Sequence, residues 1–167
     1  DAFYMCEKLE NVVLGEGIET IEKSAFRETV IKEITFPSTL KTIEGFAFYK
    51  TPIIKAKFPD SLKTIGDNAF DECTSLSEIE LNEGLESIGF EAFRVTKIKS
   101  LVTPSILKTL GAGAFNGIVT LENITLNEGL TNIGQICFGA SAIQTITIPS
   151  TVTNCEYGLF NGCERLT

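Results

Sequence analysis

The chain has 167 residues, 43% of them hydrophobic, with a net charge of −8 and no histidine. Its apolar content excludes a disordered chain, and no apolar run of roughly eighteen residues exists that could insert directly into a membrane as a helix. The acidic balance argues against a nucleic-acid partner, which needs clustered Lys and Arg, and the missing histidine removes Ser-His-Asp and Cys-His nucleophiles and His-ligated zinc.

The opening DAFYMCEKLE lacks the basic start and apolar core of a signal peptide. Its Phe3 is the first of a series continued by Phe26, Phe48, Phe70, Phe93, Phe115, Phe138 and Phe160, at steps of 22 or 23 residues. No period inside one helix or strand gives that spacing; it is the repeat of a solenoid of stacked rungs. Between markers the frame L-x-x-I-x-L-x-x-x-L-x-x-I-x-x-x-A-F recurs, with Leu and Ile exchanged. The first rung reads Leu9, Val12, Leu14, Ile18, Ile21, Phe26; the fourth reads Leu76, Ile79, Leu81, Leu85, Ile88, Phe93. Over seven rungs only Thr103 breaks the frame, if Cys155 counts as apolar.

Within each rung the order of predicted elements is the same. A stretch such as LSEIEL alternates as a strand with one buried face. A turn follows, built on Pro (Pro37, Pro59, Pro104, Pro149) or on a Glu-Gly pair (Gly17, Gly84, Gly129), because proline presets φ and glycine accepts a positive one. GLESIG is then extended, and a short helical turn is expected around EAF. Ala precedes the Phe until Cys137 and Leu159, as though little room is left there. Stacked copies predict a parallel sheet on one face with turns and short helices behind it.

The phrase LSEIELNEGLESIGFEAF, with its Cys in AFDECTSL from Ala69 to Leu76, resembles the BspA-like leucine-rich repeat family over the whole chain. The expected fold is an α/β repeat solenoid of 22–23-residue repeats, with a parallel sheet on the concave face and short helical turns on the convex side. Residues 1–167 read as one array, seven full rungs with partial rungs at both ends. With no polar cap at either end, the array is expected to be a fragment of a longer chain, or to self-associate through its ends. The resemblance implies a surface or extracellular protein, with a protein or glycan of a host matrix or cell surface as partner.

Two departures from the family pattern stand out. The Cys three residues after the Phe occurs only as Cys6, Cys73 and Cys163, with Ile118 in its place once; the other four links are one residue shorter. Rungs entered by the longer link carry the Glu-Gly turn (Glu16, Glu83, Glu128), and rungs entered by the shorter link carry Pro. The sequence alone offers no physical reason for that coupling.

Features that suggest chemistry have plainer readings. Cys6 and Cys73 lie three rungs apart, roughly 14 Å at about 4.8 Å per strand, too far for a disulfide. Cys137, Cys155 and Cys163 occupy inward positions, so the thiols are expected to be buried and to act as small apolar residues. Glu78 and Glu80 could suggest a glycosidase pair. They should instead face outward and pair across strands along the columns Glu33–Lys55–Glu78 and Thr35–Lys57–Glu80. GAGAFNG lacks a phosphate-loop register and places Phe115 on the core marker. Asn123-Ile124-Thr125 is a glycosylation sequon, used only in a eukaryotic secretory pathway.

No catalytic residue, metal site or cofactor is expected. What remains is the outward strand face of Glu33, Thr35, Lys55, Lys57, Glu78, Glu80, Ser100, Asn123, Thr125, Thr145 and Thr147, flanked by Asn11, Val13 and Val102. The expectation is a non-enzymatic interaction or adhesion module binding through that concave face. The alternative is a structural spacer or stalk with no ligand of its own.

Overall fold

A computed structural model describes residues 1–167. Its strands, in chain order, are β1 (Thr20–Ile21), β2 (Thr42–Ile43), β3 (Lys55–Lys57), β4 (Thr64–Ile65), β5 (Glu78–Glu80), β6 (Ser87–Ile88), β7 (Ser100–Val102), β8 (Thr109–Leu110), β9 (Asn123–Thr125), β10 (Asn132–Ile133) and β11 (Asn154–Cys155). Seven of them form one parallel sheet in the order β1-β2-β4-β6-β8-β10-β11. Equivalent residues pair at every step, as in Thr64↔Ser87 and Ile65↔Ile88. The strands are short because each, except the terminal β11, supplies one half-exposed polar residue and one buried apolar residue before the chain turns.

The continuous sheet is therefore built from the GLESIG-type stretches. The LSEIEL-type stretches, expected to carry the concave sheet, form only the separate pairs β3–β5 and β7–β9 and a bridge between Val13 and Thr35.

The core is a column of stacked phenylalanines. From Phe3 to Phe160 successive ring centroids lie 5.1–6.0 Å apart with interplanar angles of 3–13°. A flat ring laid parallel to its neighbours fits the separation that parallel strands impose. Phe36 and Phe58 make a second short stack, and each meets the main column edge-on. Phe48, Phe70, Phe93, Phe115 and Phe138 are fully buried.

No helix forms around the AF motif, contrary to expectation. An α-helix returns each N–H to its own chain four residues back, but here alternate N–H groups leave for the next rung. Asn68, Phe70 and Glu72 donate to the carbonyls of Phe90, Ala92 and Arg94 at 2.7–2.9 Å. Between them, Ala69, Asp71 and Cys73 donate back three residues, to Gly66, Asn68 and Phe70. Left-handed residues bracket each such turn, for example Asn68 with Glu72 and Gly113 with Gly117. The last pair accounts for two of the glycines in GAGAFNG, since glycine adopts positive φ without steric cost.

The thiols divide between two environments. Cys73 and Cys137 are buried as expected, and burial pushes both up to about 12. Cys6 and Cys155 are exposed and Cys163 is half-buried, a correction to their expected burial; Cys155 lies on β11, which has a strand on one side only. Cys73 and Cys163 donate to the Phe48 and Phe138 carbonyls at 3.0 and 3.1 Å. On the shorter links, Thr29, Thr51 and Thr96 hydroxyls donate to the Phe26, Phe48 and Phe93 carbonyls. Cys73 and Cys163 thus bond to the preceding rung and the Thr hydroxyls to their own, while Ile118 fills the same position with an apolar side chain and no donor.

Two predictions follow from this packing. Phe93→Ala should lower the free energy of unfolding by about 3–5 kcal/mol in urea titration, the cost of emptying a buried aromatic site. Gly111 is held by close approach: a Cβ there would lie 2.4 Å from the Gly89 carbonyl carbon and 2.5 Å from the Phe90 nitrogen, whereas one at Gly15 would meet nothing within 4 Å. Gly111→Ala should destabilise by about 3 kcal/mol or more and Gly15→Ala by less than about 0.5 kcal/mol; equal effects would remove close approach as the reason for that glycine.

Candidate binding face

All eleven candidate residues, from Glu33 to Thr147, are exposed on the face made by the LSEIEL-type stretches. This face is not a continuous ladder. Rungs three and four zip through β3–β5, and rungs five and six through β7–β9. Between rungs two and three the only main-chain bond on this face is Ile54 N–H to the Lys32 carbonyl; between four and five it is Lys97 to Leu76, and between six and seven Ala142 to Leu121.

Link length decides which rungs zip. β5 and β9 follow the longer links through Cys73 and Ile118, and each pairs with the preceding rung in a register offset of 23 residues. Rungs entered by the shorter link leave the ladder after one bond. They also end in a proline, which has no N–H to donate.

The same geometry explains the coupling of link and turn. At a zipped junction the Glu-Gly turn lies against the preceding Pro turn: a Cβ on Gly84 would sit 2.3 Å from the Asp60 carbonyl oxygen, so glycine is required. Asn82 Nδ2, just before that turn, donates to the Asp60 and Leu62 carbonyls. The glutamate then reaches forward to the next Pro turn. Ser38, Ser105 and Ser150 each donate a backbone N–H and a hydroxyl to Glu16, Glu83 and Glu128, at 2.8–3.3 Å. Thr103, the one polar residue in the core frame, accepts the Asn127 N–H on its hydroxyl at 2.9 Å.

Where the ladder opens, the face has depressions. A groove of about 530 Å³ crosses the first three rungs, lined among others by Val13, Glu33, Ile34, Ile54 and Lys55. A smaller one of about 230 Å³ lies between rungs six and seven, lined by Ile124, Thr125, Leu126, Thr145, Ile146 and Thr147.

Cross-strand ion pairs form where the strands are paired. Lys55 Nζ lies 2.9 Å from Glu78 and 3.4 Å from Glu80, and Lys57 Nζ lies 2.9 Å from Glu80. The hydrogen bond that Lys55 donates to Glu78 raises the Lys55 pKa, and those that Lys57 and Lys55 donate to Glu80 lower that of Glu80. Glu33 makes no such pair, because its rung is not zipped to β3; the expected column is formed only on its Lys55–Glu78 side.

Two clusters on the AF-turn edge were not singled out by sequence reasoning. The Arg27 guanidinium lies between Tyr4 and Tyr49, 5.2 and 4.9 Å from their ring centroids. Arg94 gathers Asp71, Glu72 and Glu91 at 2.9–3.3 Å. Its Nε and the Asp71 Oδ1 are close but misaligned for a hydrogen bond, which Nη2 makes instead to Oδ2 at 3.1 Å. Burial nonetheless pushes the Asp71 carboxyl up. The signal was available, since Tyr4, Arg27, Tyr49, Asp71 and Arg94 all directly follow the Phe marker.

A solenoid of stacked parallel rungs with exposed polar strand positions is the architecture of a leucine-rich repeat protein. The sequence profile of the BspA type leucine rich repeat region matches in six copies, over residues 1–117 and 87–167, and the chain belongs to that family. Among solved structures, a leucine-rich repeat protein from Bacteroides ovatus is similar at 29% identity with a TM-score of 0.90, covering 99% of this chain and 44% of that one. The T. pallidum leucine rich repeat protein is also 29% identical, with a TM-score of 0.66, covering 83% of this chain and 66% of that one. A leucine rich cell surface protein from Faecalibacterium prausnitzii shares the fold at 18% identity and a TM-score of 0.67, over 99% of this chain and 61% of that one. The chain spans between 44% and 66% of the length of these proteins. No curated protein sequence matches it.

The carboxylates give a pH prediction. Hydrogen bonds from Lys57 and Lys55 to Glu80, and from Ser150 to Glu128, hold both below their ordinary value of 4.5. A lowered folded pKa contributes stability that is present above the unfolded value and lost as pH falls through the folded one. Tm should therefore drop between about pH 5 and pH 3, and the drop should be smaller in Glu80→Gln and Glu128→Gln. An unchanged acid limb in both variants would assign the loss to other carboxylates.

Proposed function

We propose that this chain is a non-enzymatic protein-interaction or adhesion module that binds a partner through the exposed strand face from Glu33 to Thr147, in a surface or secreted protein. The observation that carries this reading is the face itself. It offers a long, regular series of exposed side chains on a scaffold fixed by the Phe column and a continuous sheet, with grooves where its own ladder opens. The repeat family is commonly used for protein interaction, and a cell-surface protein shares the fold. The partner expected from the family is a matrix or cell-surface protein or glycan, met by a broad polar contact, since the face carries no aromatic anchor.

A spacer role is the second reading. The unbroken seven-stranded sheet would hold its two ends at a fixed separation whether or not the face binds.

The test is binding of this chain to immobilised matrix proteins and glycans, beside a variant with Lys55, Lys57, Glu78 and Glu80 all changed to Ser. Binding should fall at least about tenfold in a variant that melts within a few degrees of the parent. Equal binding by parent and variant would remove the charged rungs from the interface. A parent that binds nothing in the panel would favour the spacer.

A further inference from the structure

The groove across the first three rungs has a floor and a charge that together select a ligand; the inference rests on the interaction reading above and narrows its partner. The apolar part of the groove's lining is open. Ile34 is half-buried, Ile54 is 47% exposed, and Val13, at 97%, stands at the rim. Exposed apolar side chains gathered in a depression, rather than scattered singly, mark a surface that is covered in use.

The charges around that floor are unequally occupied. Lys55 is held by Glu78 and Glu80, and Lys57 by Glu80. Glu33 lies in the same lining with neutral Asn11 and Thr35 beside it, and it takes part in no ion pair or hydrogen bond. An acidic ligand would have to pull a lysine from its carboxylates, while a cation finds Glu33 free. The net charge of −8 favours approach of a cation as well.

We propose that this groove binds an extended, basic polypeptide segment in which apolar residues alternate with Lys or Arg. Alternate side chains of an extended chain point to opposite sides. Apolar side chains on one side of the segment then cover Val13 and Ile54, while the long, flexible stem of a flanking Lys or Arg lets its cation fold back over the rim to the Glu33 carboxylate. The groove opens here because rung two is not zipped to rung three, so the site is a consequence of the short link before Ile53.

The experiment is a fluorescence-polarisation titration with labelled peptides of about ten residues, longer than the groove at about 3.3 Å per residue. One peptide alternates Lys with Leu and the other Glu with Leu. The Lys peptide should bind saturably and more weakly as salt is raised, and the Glu peptide should not bind. Glu33→Gln and Val13→Ser should each weaken the Lys peptide about fivefold. Glu164→Gln, an exposed carboxylate outside the groove, should leave its affinity unchanged.

Equal affinity in Glu33→Gln, equal weakening by Glu164→Gln, binding of the Glu peptide, or no binding of either would each overturn the proposal. If the tetra-Ser variant still loses the matrix or glycan partner in those cases, the interaction reading stands and only the basic-peptide assignment falls. Partner binding indifferent to every one of these changes removes both.

Discussion

The fixed separation between rungs, 5.1–6.0 Å as measured along the phenylalanine stack, is the constraint on which the rest depends. A planar ring is thin enough to lie in every rung without pushing the next away, and each covers the face of its neighbour. Close stacking brings each AF turn within hydrogen-bond reach of the following one, and alternate N–H groups cross the gap. That crossing forbids a helix. It also presses successive backbones together so closely that Gly66, Gly89, Gly111 and Gly134 have no room for a Cβ. Helix, side-chain volume and backbone conformation are all settled by one distance.

The same spacing explains what could be read from the sequence. The eight Phe markers and the apolar frame state the repeat directly, since each marks a position buried by the rung on either side; the solenoid, its parallel strands and the exposed polar columns were legible. The missing helix was not. EAF has the composition of a helical turn, and its N–H groups are diverted by a neighbouring rung that local propensity does not know about. Likewise, the alternation in LSEIEL correctly gave which side chains face out, but not that the strands would be bonded only in pairs. Alternation reports one buried face; ladder formation depends on whether the next rung arrives in register, and that is a property of the link.

The links therefore carry more information than their variability suggests. One extra residue before rungs four and six lets a strand rejoin its predecessor, and its absence before rungs three, five and seven leaves an opening. The Glu-Gly and Pro-Ser turns complete the arrangement. Glycine lets a zipped turn lie on the carbonyl behind it, and glutamate gathers the N–H and hydroxyl of the proline turn ahead. The coupling between link length and turn type, visible in the sequence without a cause, is thus a coupling between adjacent rungs.

The accessible charge and apolar surface of such a scaffold are placed by where the ladder is closed and where it is open. Closed junctions bring Lys55, Lys57, Glu78 and Glu80 into register, and the charges satisfy one another. Open junctions leave residues without a cross-strand partner and expose the apolar side chains between them, as at Glu33 and Ile54. A face of uniform pairing would neutralise itself along its whole length, because every charge would meet its complement in the next rung. Interruptions of the pairing are what leave free charge and open apolar surface. Insertion or loss of single residues in the links can thus move a groove along the solenoid while every core position keeps its identity.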